Sequence, residues 1–256
     1  MINIIFLGFG NVNHHLCNTL HKIDEVSVIQ VYNRSAIVPS SELKDISFTT
    51  EISEIKDADI YIVGIPDDAI RSFSERLPFR NKLLVHTSGG VTMKSLSSKN
   101  RRGVFYPLQT FSKNREVSFT EIPICIEAEE ASNEALLKTL AGYISKNVVV
   151  ISSEERAKLH VAAVFVNNFV NYLYSVSEEI VTKESLDFNL LKPLIAETAA
   201  KITELSPSEV QTGPAKRNDI KTIEKHLHLL DDGPYKMLYK QLTKAIQEKY
   251  THGKKL

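Results

Sequence analysis

The sequence predicts an α/β Rossmann-like dinucleotide-binding domain followed by an all-α domain. Three observations carry that expectation. Strand-like apolar runs alternate with helical patterns up to about residue 151. The first of these strands runs into a glycine turn that opens a helix. From Ser153 onward glycine and strand signals almost vanish and long helical periodicity takes over. The expected division is residues 1–151 for the nucleotide-binding domain and residues 152–256 for a helical domain serving substrate binding or dimerisation. A chain of 256 residues has room for two such cores.

The opening stretch, Ile2 to Leu20, sets the organisation. Ile2, Ile4, Ile5, Phe6 and Leu7 read as a buried strand, and Val12, Leu16 and Leu20 fall on one face of the helix that follows. Between them Gly8 permits a tight turn, Gly10 lets backbone approach a pyrophosphate, and the first helical N–H groups point at the anion. The turn residues Gly8, Phe9, Gly10, Asn11, Val12 and Asn13 are the expected pyrophosphate site. In GxGxxG counting the third glycine is replaced by Asn13, whose side chain either spaces the helix from the strand or aims an amide at the ligand.

Val26 to Tyr32 reads as the second strand and ends in Asn33-Arg34-Ser35. Residue 33 lies 20 positions beyond residue 13, where an NAD-binding unit usually carries an acid for the ribose 2′-hydroxyl. Here an arginine stands among small polar neighbours, and a guanidinium can pair with a 2′-phosphate bidentately. The expected cofactor is therefore NADP(H), with Asn33, Arg34 and Ser35 at the phosphate; the alternative for Arg34 is a solvated turn residue.

A minor strand is expected around Phe48, and Asp59 to Ile65 reads as a strand buried on both faces. Pro66 stops it, placing Ile65 and Pro66 at a strand tip beside the cofactor, and Asp67-Asp68 read mainly as helix caps. Lys82 to His86 delivers His86-Thr87-Ser88-Gly89-Gly90 to another tip, so His86, Thr87 and Ser88 are candidate substrate contacts. A lone strand-end histidine can equally be satisfied locally. Gly103 to Phe111, Ile122 to Ile126 and Val148 to Ile151 read as further strands, with a helix at Ser132 to Ser145.

In the second half, a capping start at Ser153 opens a long helix, with others at Asn189–Leu205, Ile220–Leu230 and Tyr235–Tyr250. His160 and Asn168 lie two turns apart on the long helix, either as satisfied core polar groups or as a proton donor and an orienting amide. Arg217, in the Gly-Pro loop before Asp219, is a candidate clamp for an anionic substrate, while Asp219 suits an N-cap. The tail Thr251 to Leu256 reads as disordered.

Thirty-one basic and 31 acidic residues leave no net charge to attract nucleic acid or anionic membrane, so the expected partner is a small molecule. Cys17 and Cys125 have no partners at metal spacing and read as buried free thiols in a reducing compartment. No metal set, leader or membrane span is expected, and the predicted location is cytoplasmic.

With these motifs in view, the chain resembles the 6-phosphogluconate-dehydrogenase-like superfamily of NADP-linked reductases, related to pyrroline-5-carboxylate reductase. More closely it resembles a bacterial family of NADP oxidoreductases with a Rossmann-like N-terminal domain and a helical C-terminal domain of unassigned function. The closer likeness rests on Tyr106-Pro107-Leu108-Gln109-Thr110-Phe111, on Leu159-His160-Val161-Ala162-Ala163 with Asn167-Asn168, and on Thr212 to Asp219 with His226. It spans essentially the whole chain. Tyr106 stands where this family commonly has histidine, and Asn218 where glycine is usual. The resemblance implies an NADP(H)-dependent reduction of a carbonyl or imine of a small, anionic metabolite, in a homodimer. The other reading is an NADP-binding sensor or scaffold without turnover, dimerising through its helices.

Overall fold

Side-chain alternation along the first strand decides the layering. In β1 (Ile2–Leu7), Ile4 and Phe6 face one side and Ile5 and Leu7 the other, and all four are fully buried. Such a strand needs cover on both faces. The computed structural model, which describes residues 1–251, supplies it.

β2 (Val26–Tyr32), β3 (Ser47–Thr49), β4 (Ile60–Val63) and β5 (Leu83–His86) join β1 in one sheet with β6 (Arg101–Pro107), β7 (Ile124–Ala128) and β8 (Val148–Val150). The strand order is β3-β2-β1-β4-β5-β6-β7-β8. The order reverses at β1, which lies between β2 and β4, so a crevice opens beyond the carboxyl ends of β1 and β4. α1 (Asn11–Leu20) and α3 (Ala131–Gly142) cover one face through Leu16, Leu20, Leu137 and Leu140. The short α2 (Ile70–Glu75) covers the other through Ile70 and Phe73.

Three local expectations are corrected. First, βα alternation breaks before residue 151, because β6 and β7 pair antiparallel without an intervening helix. β6 stops at Pro107, and the chain then folds over α1, where Asn11 Nδ2 donates to the Phe111 carbonyl (2.9 Å). Phe111 joins the core on the α1 side, which is why that stretch looked strand-like. Second, Asp67 and Asp68 lie inside a 3-10 turn (Asp67–Ala69) whose N-cap is Pro66, and neither caps it by side chain. Third, the capping box belongs one residue earlier, to Ser152 and Glu155.

That shift frees Ser153 for a buried tie. α4 (Ser153–Ala163) is anchored by Arg156, which is only 1% exposed. Its Nη1 donates to Glu127 Oε2 (2.6 Å) and its Nη2 to the Val91 carbonyl (2.5 Å). Ser153 Oγ donates to the same carboxylate (2.6 Å) and accepts from Met93 N (2.9 Å). Helical conformation continues through a π stretch, Val164–Phe169, into α5 (Val170–Lys183).

The chain divides into a compact unit of Met1–Asn168 and a second from Phe169 onward. The second contains α5, α6 (Lys192–Glu204), α7 (Pro207–Val210), α8 (Pro214–Arg217), α9 (Ile220–Leu229) and α10 (Pro234–Thr251). Asn218 takes the left-handed conformation (φ 55°) that favours glycine, and Asp219 caps α9 through Thr222 N. His226 Nδ1 meets the Tyr239 hydroxyl (2.8 Å), a local partnership. Among the described residues, no helix is long and apolar enough to cross a membrane. Of the tail expected to be disordered, Thr251 ends α10 and the rest lies outside the described residues.

Removing the Arg156 guanidinium leaves Glu127 without its buried partner. Arg156→Ala is expected to cost about 3 kcal/mol, lowering Tm by roughly 6–12 °C. Calorimetry checks this, and a shift under about 2 °C would refute the tie.

Candidate functional site

Gly8 adopts φ +88°, and a Cβ there would lie 2.5 Å from Ile65 and 2.6 Å from the Gly64 carbonyl, so only glycine makes this turn. Gly10, the N-cap of α1, differs. A Cβ there would meet only the Gly64 carbonyl, at 3.6 Å, so its requirement is not internal packing. No side chain caps α1, which leaves its first-turn N–H groups to an outside acceptor.

Asn13 is fully buried and turned toward the sheet. Its Nδ2 donates to the carbonyls of Gly8 (2.8 Å) and Ile62 (3.1 Å), joining α1 to the ends of β1 and β4. The carboxamide occupies the space beside Gly64, where a Cβ would come within 2.3 Å of it. The glycine missing from the first motif therefore reappears at residue 64. Phe9 buries its ring against Phe48, and its N–H donates to Asn33 Oδ1 (3.1 Å), which ties the turn to the end of β2.

The glycine turn, Asn33, Arg34, Ile65 and Pro66 line one cavity of about 530 Å3. Ser72 and Arg76 of the α2 region line it too, and the sequence reading missed both. Ser35 lines an adjoining cavity with Phe48 and Thr49, and Asn33 Nδ2 donates to its carbonyl (2.8 Å). An uncapped helix start, an open Gly10 and exposed arginines at one cavity fit a dinucleotide phosphate.

At the tip of β5, His86 is fully buried. Its Nδ1 accepts from Ser88 N (3.2 Å), and burial, followed by the Arg156 guanidinium, pushes its pKa down to about 3. Thr87 is buried and bonded to the Val63 carbonyl, while Ser88 Oγ accepts from Gly90 N and Val91 N. These hydroxyls shape the loop.

The loop's contact is His160. A Cβ on Gly89 would lie 2.5 Å from His160 Nδ1 and 2.8 Å from Tyr106 Cζ, so the glycine makes room for these rings. The Tyr106 hydroxyl lies 3.2 Å from His160 Nδ1, and burial holds the phenol pKa above its usual value, keeping it protonated. A smaller cavity of about 190 Å3 runs along this pair, lined by Gln109 and Thr110 and by Ala163, Asn167 and Asn168. The structure thus brings His160 and Asn168 to one cavity. Lys158 points elsewhere, paired with Glu154. Arg217 is exposed at the end of α8 in the second unit. Among the described residues no cluster of three metal-ligating side chains occurs.

Two outcomes test this geometry. Gly64→Ala is expected to destabilise by about 2 kcal/mol, and in the Asn13→Ala background by at least about 1 kcal/mol less, because the clashing carboxamide is gone. Additive effects in urea unfolding would contradict the packing. Below pH 6.5 the unfolded chain takes up a proton at residue 86 that the folded chain refuses until about pH 3, so His86 makes stability fall on acidification across that window. His86→Asn should flatten the Tm-versus-pH curve there; equal slopes would contradict the burial argument.

Similarity to known proteins agrees with this geometry. Residues 122–246 match a domain of unknown function, DUF2520. A solved Bacteroides fragilis protein, provisionally named an NADP oxidoreductase, is 38% identical, with a TM-score of 0.88 over 96% of this chain and 98% of that one. A Thermotoga maritima protein is 22% identical, with a TM-score of 0.78 over 96% and 98%. The Plasmodium falciparum pyrroline carboxylate reductase, solved with NADP bound, is 13% identical, with a TM-score of 0.62 over 98% of both chains. The last two likenesses show the fold. No curated protein matches the chain. By its identity to the Bacteroides protein over nearly its full length, the chain belongs to that protein's family of Rossmann-fold, NADP oxidoreductase-like proteins with a helical C-terminal domain.

Proposed function

We propose that the chain is an NADP(H)-dependent oxidoreductase that reduces a carbonyl or imine of a small metabolite. One observation carries the reading: a cavity built from the glycine turn and Arg34 lies in the same unit as a protonatable pair, His160 and Tyr106, packed on the loop after β5. The name of the Bacteroides relative supports it.

When bound, NADPH supplies the hydride. The chain's residues do the rest. Backbone from Gly8 to Asn13 holds the pyrophosphate, with the Asn13 side chain fixing the turn from behind. Arg34, with Asn33 and Ser35, receives the 2′-phosphate. Ile65 and Pro66 wall the nicotinamide side, and His86 and Thr87 set the loop that positions Ser88. The Tyr106 hydroxyl lies within hydrogen-bond distance of His160 Nδ1 and holds the ring in place, so as an imidazolium His160 donates Nδ1–H to the phenol oxygen, gives its Nε2 proton to the substrate oxygen or nitrogen, and is left neutral. Asn168 orients the substrate through its carboxamide.

The second unit supports self-association. Leu190, Leu194, Leu229 and Met237 are each more than 60% exposed, and burying such side chains against a second copy is favourable. The protein is a homodimer in this reading, and light scattering should give twice the 28.8 kDa chain mass.

NADPH at millimolar concentration is expected to raise Tm by several degrees and NADH by much less. With a keto-acid and imine panel, His160→Ala should lower kcat at least a hundredfold and Tyr106→Phe about tenfold. If neither nucleotide moves Tm, the reading falls. If NADPH binds but nothing is reduced, the chain is the sensor.

A further inference from the structure

Resting on the NADP(H) reading, we infer that Arg76 is a second guanidinium for the ribose 2′-phosphate and determines the preference for NADP(H) over NAD(H). Arg76 is far from the glycine motif in sequence, and nothing in the β2 motif points to it. The structure brings it there through a buried aromatic pair. Tyr32, the last residue of β2, stacks on Phe73 of α2 with ring centroids 5.6 Å apart and planes 24° apart. Both rings are buried. Arg34 follows Tyr32 by two residues and Arg76 follows Phe73 by three, so one rigid contact carries both arginines.

Both line the cavity that holds the glycine turn, and both are exposed. Neither forms an ion pair among the described residues. The Arg76 guanidinium rests over the Phe73 ring, 5.9 Å from its centroid, a contact that leaves its N–H edge available. Among the described residues the cavity's one carboxylate is Asp68, so two guanidiniums face one acid and the balance favours a dianion. A phosphomonoester accepts from two guanidiniums at once, whereas the free 2′-hydroxyl of NAD(H) offers no charge to hold them. Ser72 lines the same wall, with its hydroxyl donating to the Ala69 carbonyl (3.2 Å).

The test is calorimetric titration of the full chain with NADPH and NADH, and with 2′,5′-ADP and 5′-AMP. Arg76→Ala is expected to weaken NADPH and 2′,5′-ADP by about tenfold or more and to change NADH and 5′-AMP by less than about twofold. Arg76→Lys should recover only part of the loss, because a point charge cannot replace the bidentate fork. Arg76 is exposed, so Tm without ligand should stay within about 1 °C of the wild type. Equal weakening of all four ligands would make Arg76 a cover for the adenine and overturn the inference, as would no change in any. If the wild type binds none of the four, the nucleotide reading itself fails and the inference falls with it.

Discussion

The site depends on one buried carboxamide. Asn13 donates to the carbonyls of Gly8 and Ile62, so the glycine turn, the first helix and the end of β4 meet at a single side chain. A Rossmann motif ordinarily brings helix and strand together with a third glycine. Here the larger residue is accepted, and the space is recovered across the crevice at Gly64. The exchange also stiffens the turn, because the Gly8 carbonyl is held before any phosphate arrives. Asn33 does the same from the β2 side through the Phe9 N–H. A turn fixed from two directions presents its remaining N–H groups to a ligand with little reorganisation.

A second buried group positions the helix that carries His160. Arg156 joins α4 to β7 and to the loop after β5, and one turn further along the same helix His160 reaches that loop at Gly89. The same guanidinium helps keep His86 neutral. Two histidines thus occupy opposite roles within a few residues of one loop. His86 is sealed in and shapes the backbone, whereas His160 is half-buried, touches the Tyr106 phenol and lines a cavity. The π stretch from Val164 to Phe169 adjoins this cavity, as such stretches often adjoin functional sites.

Much of this was legible in the sequence where the signal is local. The bounds of β1 and β2, the glycine turn, the capping role of Asp219 and the start of α9 follow from periodicity and end signals. The direction of β7 was not legible, because hydrophobic pattern is the same for parallel and antiparallel neighbours. Asp67 and Asp68 looked like caps because acids suit a helix start, yet the proline ahead of them took the cap position. Arg156 was invisible as a core residue, since an arginine near a helix start reads as solvated until its carboxylate partner in another element is known. Arg76 and Gly64 matter through partners dozens of residues away, at Phe73's contact with Tyr32 and at Asn13. His160 and Asn168 were paired by helical spacing, and the cavity that gives the pairing a use is a tertiary feature.

The most direct measurement is a crystal structure of the protein grown with saturating NADPH. The account predicts the pyrophosphate on the N–H groups after Gly8, the 2′-phosphate against Arg34, and the nicotinamide on the side of Pro66 and Ser88, facing His160. Density for the dinucleotide elsewhere, or an empty glycine turn at millimolar NADPH, would contradict it.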